Sequence, residues 1–202
     1  MKKTLILGTN NRHKLIEITP LLEGVGVQLR SAGEYGAFDP EETGATLEEN
    51  AILKARAAME LSKEWACADD TGLEVDALGG RPGIFAARYA GPGCTFEENI
   101  RKLLGELKNC PAGLRQARFT CVIALCRPGA EPMTFRAGCA GRILTEPRGT
   151  GGFGYDPVFW VEEAGKSFAE LALEEKNRLS HRARAVRMLR AELVNLLLQQ
   201  EA

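Results

Sequence analysis

Two adjacent carboxylates, Asp69 and Asp70, follow a short run of small and apolar residues, Ala66-Cys67-Ala68, and precede an apolar/polar alternation through Leu73, Val75 and Leu78. The pattern predicts a buried strand that ends in acid at Asp69. In open α/β sheets ligands sit beyond the carboxyl ends of strands, so a pair of aspartates there could hold a metal or activate a water. The same pair fits a surface turn capped by aspartates, and the neighbouring motifs must decide. Gly72, Gly79, Gly80, Pro82 and Gly83 supply tight turns downstream, and Arg88 and Tyr89 add a cation and an aromatic ring.

A second chemistry-bearing stretch opens the chain. Residues 3 to 7 read as a strand running into Gly8-Thr9-Asn10-Asn11-Arg12-His13-Lys14, and a helical pattern continues through Leu15, Ile18 and Leu22. A strand, a polar turn and a helix start make an anion site, to which Asn10, Asn11, Arg12 and Lys14 add donors. The spaced glycines and the Lys-Ser/Thr pair of a Walker loop are absent. Pro20 is expected to kink or shorten this helix.

Between these stretches, a strand is expected at Val25 to Leu29, then an irregular acidic segment containing Glu41 and Glu42. Thr46 and Glu49 have capping-box spacing and open a helix expected to reach about Glu64. Asn50 and Lys54 lie one turn apart on it and point to one side.

Downstream, Thr95 and Glu98 repeat that spacing and start a helix carrying Ile100, Leu103, Leu104 and Leu107. Residues 117 to 126 and 133 to 139 read as a hairpin, with Ile143 and Leu144 as a candidate extension of the sheet. Gly149 to Pro157 surrounds Phe153, Tyr155 and Asp156 with glycines; such a loop can stack on a flat base and read its edge with amides, or can fold its rings into the core. Ser180 is the expected N-cap of a long helix with Ala185, Met188, Leu189, Leu193 and Leu196 or Leu197 inward. That places His181 and Arg182 in the first turn, where cations oppose the helix dipole unless an anion or polar ligand accepts from them. Arg184, Arg187 and Arg190 read as the solvated face.

The 202 residues are 45% hydrophobic, enough for one folding unit over residues 1 to 202. A net charge of −1 with interspersed signs gives no global field for duplex nucleic acid or an anionic membrane, and the first apolar run is too short for a signal or a span, so the expected location is cytoplasmic. The six cysteines show no metal-knuckle or redox spacing and read as buried thiols. With only two histidines, any metal is expected to take oxygen ligands, which points to magnesium.

Five blocks, in order, resemble the inosine/xanthosine triphosphate pyrophosphatase family: Thr9 to Glu17; Glu42-Thr-Gly44 with Glu49 to Ala55; Ala68 to Leu73 through Pro82-Gly83 and Ala87-Arg-Tyr89; Gly151 to Pro157; and Ser180-His-Arg182. Thr71 stands where serine is usual, and Phe85-Ala86 where Tyr/Trp-Ser is frequent. The resemblance implies an α/β fold with an elongated mixed sheet, flanking helices and two lobes around a central nucleotide cleft, assembled as a homodimer. It implies Mg²⁺-dependent hydrolysis of ITP, dITP and XTP to monophosphate and pyrophosphate, a house-cleaning reaction without nucleic-acid or membrane partners. Asp70 would be base and metal ligand, with Glu41 or Glu42 as second carboxylate and Asp69 in support. Thr9, Asn10, Asn11, Arg12, His13 and Lys14 would meet the substrate, with Lys54, Thr71 and Lys176. Phe153, Gly154, Tyr155 and Asp156 would form the base loop, and His181 and Arg182 would complete it.

Overall fold

A computed structural model describes residues 2–201. Eight strands form one mixed sheet: β1 (Lys3–Leu7), β2 (Val27–Ser31), β3 (Trp65–Val75), β4 (Pro82–Gly83), β5 (Gln116–Cys126), β6 (Met133–Ile143), β7 (Phe159–Val161) and β8 (Lys166–Ser167). Their order is β2-β1-β3-β5-β6-β7-β8, with β4 on β3. The pairs β1–β2 and β1–β3 are parallel, whereas β3–β4, β6–β7 and β7–β8 are antiparallel. The helices are α1 (Arg12–Leu22), α2 (Leu47–Ser62), α3 (Phe96–Glu106), α4 (Leu173–Leu179) and α5 (His181–Glu201). The mixed α/β class expected from the sequence is the one observed. Among the described residues, no helix is long and apolar enough to cross a membrane.

The chain packs as two compact units. The first comprises residues 1–70, 121–137 and 182–202, and the second 71–120 and 138–181. In the first, Leu5, Leu7, Ile123 and Leu125 from the strands meet Ile18 and Leu22 of α1 and Val186, Leu189 and Leu193 of α5. Each such buried aliphatic side chain contributes roughly 1.5–3 kcal/mol relative to exposure. Gly8 ends β1 in a tight fit, since a Cβ there would stand 3.1 Å from the Ala68 Cβ and 3.2 Å from the Ala58 Cβ. The second unit has its own core, built on Leu73, Val75, Leu103, Phe119, Ile143, Phe159 and Phe168.

Local capping explains where the helices begin. Asn11 Oδ1 accepts from the amides of His13 and Lys14 at the start of α1. Thr46 Oγ1 accepts from Glu49 N, while the Glu49 carboxylate takes the Ala45 amide, one residue before the position a capping box requires. In α3 the box is complete, with Thr95 and Glu98 bonding each other's backbone.

Several expectations are corrected. β3 does not stop at the aspartates: it runs unbroken from Trp65 to Val75, with Asp69 and Asp70 in its middle. Helix α1 continues to Leu22 past Pro20, and α2 ends at Ser62, where Lys63 adopts φ 62°. β2 sits two residues later than expected. Met188 is 47% exposed instead of inward. Arg190 is not merely solvated, because its Nη1 donates to the carbonyls of Leu21 and Glu23 and so closes the C-terminal end of α1. Of the six cysteines, Cys67, Cys121, Cys126 and Cys139 are buried, Cys94 and Cys110 partly so.

Candidate active site

In the first unit, the middle of β3 is where the chain concentrates charge. Asp69 and Asp70 are both buried. A buried carboxylate is costly unless cations and donors compensate it, and each aspartate has its own set.

Asp69 lies between Lys14 and Arg182. Lys14 Nζ stands 3.0 Å from Asp69 Oδ1, and Arg182 Nε stands 3.1 Å from Oδ2. Nη1 of the same guanidinium reaches Glu17 Oε2 at 2.5 Å. Arg182 is only 3% exposed and Glu17 is buried on α1, so the triad is Asp69–Arg182–Glu17 with Lys14 at its edge. Burial by itself would raise the Asp69 carboxyl, but Lys14 and Arg182 outweigh it and hold it well below the usual range. The anion that a first-turn cation on α5 requires is therefore supplied by the chain itself.

Asp70 faces another set. Lys54 Nζ stands 2.8 Å from Asp70 Oδ1 and 2.6 Å from Glu42 Oε1, and Asn50 Nδ2 donates to Asp70 Oδ2 at 3.4 Å. Lys54 is 8% exposed, so its ammonium belongs to the site instead of to solvent. Desolvation would lower the Lys54 ammonium, yet Asp70, Asp69 and Glu42 together raise it. Asp70 is raised above its ordinary value, chiefly by burial, against the pull of Lys54. The two neighbouring aspartates are thus driven apart: the cations beside Asp69 hold it low, and burial raises Asp70. That is the separation a site needs for one structural charge and one proton acceptor.

The turn after β1 completes this unit's polar groups. Thr9 Oγ1 accepts from Asn11 N at 3.1 Å, and the Asn10 carboxamide donates to the carbonyl of Phe38, tying the turn to the acidic segment. Asn11 caps two helix amides itself, Gly8 N donates to Cys67 O of β3, and Lys14 in the first turn of α1 reaches Asp69. Arg12, His13 and Glu41 are exposed.

In the second unit, the glycine-rich loop is held by Asp156. Its Oδ2 accepts from Phe153 N at 2.8 Å and pairs with Lys176 Nζ from α4. Gly152 has φ 69°, and a Cβ there would collide with the Asp156 carboxylate, so glycine is what lets that carboxylate fold over the loop. Lys176 Nζ also lies 5.2 Å from the Phe153 ring centroid. The two aromatics of the loop differ in setting. Phe153 is half-buried, whereas Tyr155 is 5% exposed and donates its hydroxyl to Ala86 O, which makes it a core ring. His181 is buried and stacks on Phe119, with ring centroids 4.5 Å apart. Thr71, the first β3 residue of this unit, is partly buried, and Gly154 adopts φ 61°.

Sequence reasoning named most of these groups but missed Glu17 as the counter-ion of Arg182 and Asn50 as a partner of Asp70. The signal for Asn50 was present in its one-turn spacing from Lys54. For Glu17, nothing local tells a buried glutamate from the exposed ones.

The fold and site define a mixed α/β protein with two buried aspartates in the middle of one strand, met by Lys14 of α1 and Lys54 of α2. The comparisons narrow it. The chain matches the model of the Ham1 family over residues 5–192, and it belongs to that family. It is 50% identical over 188 residues to the dITP/XTP pyrophosphatase of Halalkalibacterium halodurans, covering 93% of this chain and 97% of that one. To the dITP/XTP pyrophosphatase of Pseudomonas aeruginosa it is 51% identical over 191 residues, 94% and 96% of the two chains. A solved HAM1 protein from Coxiella burnetii superposes with TM-score 0.87 at 40% identity, covering 96% of this chain and 99% of that one. The Ham1 protein of Staphylococcus aureus gives 0.84 at 40% identity, over 99% and 100%.

Proposed function

We propose that this chain is a Mg²⁺-dependent nucleoside triphosphate pyrophosphatase that hydrolyses dITP, ITP and XTP between the α and β phosphates. The observation that carries this reading is the single ammonium of Lys54 shared by two carboxylates, Asp70 and Glu42. A cation already stands where two anionic groups converge, and the donor set is oxygen alone. Among the described residues no three His, Cys, Asp or Glu side chains converge as a complete metal cage. That pairing fits magnesium, which takes one or two carboxylates and completes its shell with water and substrate phosphates. When bound, Mg²⁺ neutralises phosphate charge and makes a coordinated water more acidic. Of the two glutamates proposed as second ligand, Glu42 is the one whose carboxylate shares Lys54 with Asp70.

The chain's own groups have distinct tasks. Asp70 accepts the proton of the attacking water. As the water oxygen bonds to the α-phosphorus, the bond to the bridging oxygen breaks and pyrophosphate leaves with the electron pair. Lys14 and Lys54 meet the phosphate charge that develops, with Thr9 and Asn11 as hydrogen-bonding neighbours. Asp69 keeps Lys14 and Arg182 in place. In the second unit, Phe153 offers the ring on which a base stacks, and Lys176 and Asp156 fix its loop.

Base choice follows hydrogen-bond polarity. Hypoxanthine and xanthine carry an acceptor at position 6 where adenine carries an amino donor, and the guanidinium of Arg182 can only donate. Glu17 and Asp69 fix its orientation. The test is the metal dependence of turnover: purified protein should release pyrophosphate from dITP with Mg²⁺ and none with EDTA, and EDTA-insensitive release would overturn the reading.

A further inference from the structure

Asn50 is fully buried on the inward face of α2 and has no place in the phosphate chemistry above. Asparagine is a poor interior helix residue, and a buried carboxamide is costly unless its polar atoms are bonded. Both ends of this one are used. Its Oδ1 accepts from Gly44 N at 2.8 Å, and its Nδ2 donates to Asp70 Oδ2 at 3.4 Å.

Gly44 provides an independent observation of the same device. A Cβ on Gly44 would fall 2.6 Å from Asn50 Oδ1, 2.7 Å from the Glu49 Cβ and 2.9 Å from Asn50 N. Only a residue without a side chain lets the backbone come this close to the helix start. Two residues earlier in the same irregular segment stands Glu42, whose carboxylate meets Lys54, and Lys54 meets the other oxygen of Asp70. Asn50 and Lys54 are one helical turn apart on a shared face. The contacts therefore close a ring: Gly44 to Asn50, Asn50 to Asp70, Asp70 to Lys54, Lys54 to Glu42, and Glu42 back to Gly44 along the chain. Thr46 and Glu49, which cap α2, touch neither Asp70 nor Lys54 in this ring.

We propose that Asn50 is a positioning residue of the hydrolysis, one that holds the Glu42 segment and the Asp70 carboxylate in register through this ring. The role rests on the hydrolase reading above. Asn50 does not touch substrate; it fixes the separation of two carboxylates that act together, and a misplacement of 1 Å in such a pair can cost roughly 10²-fold in rate.

Two variants separate the halves of the carboxamide. Asn50→Asp keeps an acceptor for Gly44 N but replaces the donor facing Asp70 with a like charge. Gly44→Ala leaves the carboxamide intact but forces the segment away. Glu49→Ala, which removes only the outer bond to Ala45, is the control. Each full-length protein is assayed for kcat and KM with dITP, for the Mg²⁺ concentration giving half-maximal rate, and, without metal, for amide exchange over residues 41–45. Gly44→Ala should speed that exchange, lower kcat by about tenfold or more, raise the Mg²⁺ requirement, and leave the nucleotide KM within about threefold. Asn50→Asp should keep the slow exchange and still lose kcat by about tenfold or more, whereas Glu49→Ala should stay within about twofold of the parent. Should Gly44→Ala fail to melt cooperatively, Asn50→Asp decides alone. An active parent whose Asn50→Asp and Gly44→Ala variants keep kcat and the Mg²⁺ requirement within about twofold overturns the positioning role. A parent that hydrolyses no nucleotide overturns the hydrolase reading itself, so the two failures are distinguishable.

Discussion

Lys54 Nζ lies 2.8 Å from Asp70 Oδ1, a buried ammonium against a buried carboxylate from residues 16 apart in the chain. Neither group would be stable there alone, since an isolated ion in a low-dielectric interior neutralises or stays in water. Their pairing keeps a basic carboxylate inside the fold, and the account of hydrolysis depends on it.

Replacing Asp70 with Asn removes the proton acceptor while keeping its shape. Turnover of dITP should fall by about 10³-fold or more, with nucleotide binding still measurable by calorimetry. Near-parental turnover in the variant would move the base elsewhere.

The two aspartates should affect stability differently. Asp69 has a folded value depressed by Lys14 and Arg182, so its contribution is present above the unfolded value of about 3.9 and is lost as pH falls through the lower folded value. Asp70 has a raised folded value, so its ionisation subtracts stability as pH rises from about 3.9 through that value. At pH 7, Asp69→Asn should therefore lower Tm clearly more than Asp70→Asn. Equal losses in thermal melts would contradict the opposed shifts.

Arg182→Ala leaves Asp69 and Glu17 as buried carboxylates without their shared guanidinium. Breaking a buried pair from one side costs about 3–5 kcal/mol, which is on the order of 10 °C in Tm for a chain of this size. The same variant should narrow the preference for ITP over ATP more than it slows turnover of ATP. An unchanged preference would remove Arg182 from base selection, whatever its effect on melting.

Phe153→Ala should raise the KM for dITP about tenfold, the scale of a lost base–aromatic stack of about 1–3 kcal/mol, with kcat altered less. Asp156→Asn, which weakens the hold on both Phe153 N and Lys176, should act in the same direction. A kcat loss without a KM change would contradict the stacking role.

What the sequence made legible was mostly local. Thr46 and Thr95 announced their helices because a cap is a short-range interaction, and β1 and β5 were plain from the apolar stretches Leu5 to Leu7 and Cys121 to Cys126. The course of β3 was hidden: two adjacent aspartates look like a strand end because their compensation is not local. It comes from Lys14, 55 residues away, and from Arg182, 113 residues away. For the same reason the pairing of Lys54 with Asp70 and Glu42 has no local signature, and Arg190 reads as surface charge until it meets the end of α1.

The most direct test of the central claim is product analysis. Purified protein and Mg²⁺ are incubated separately with ITP, XTP, dITP, ATP and GTP, and the phosphorus products are resolved by ³¹P NMR. Monophosphate and pyrophosphate are expected from ITP, XTP and dITP, with little from ATP. Orthophosphate and nucleoside diphosphate would contradict the cleavage position, and equal turnover of ATP would contradict the base selection.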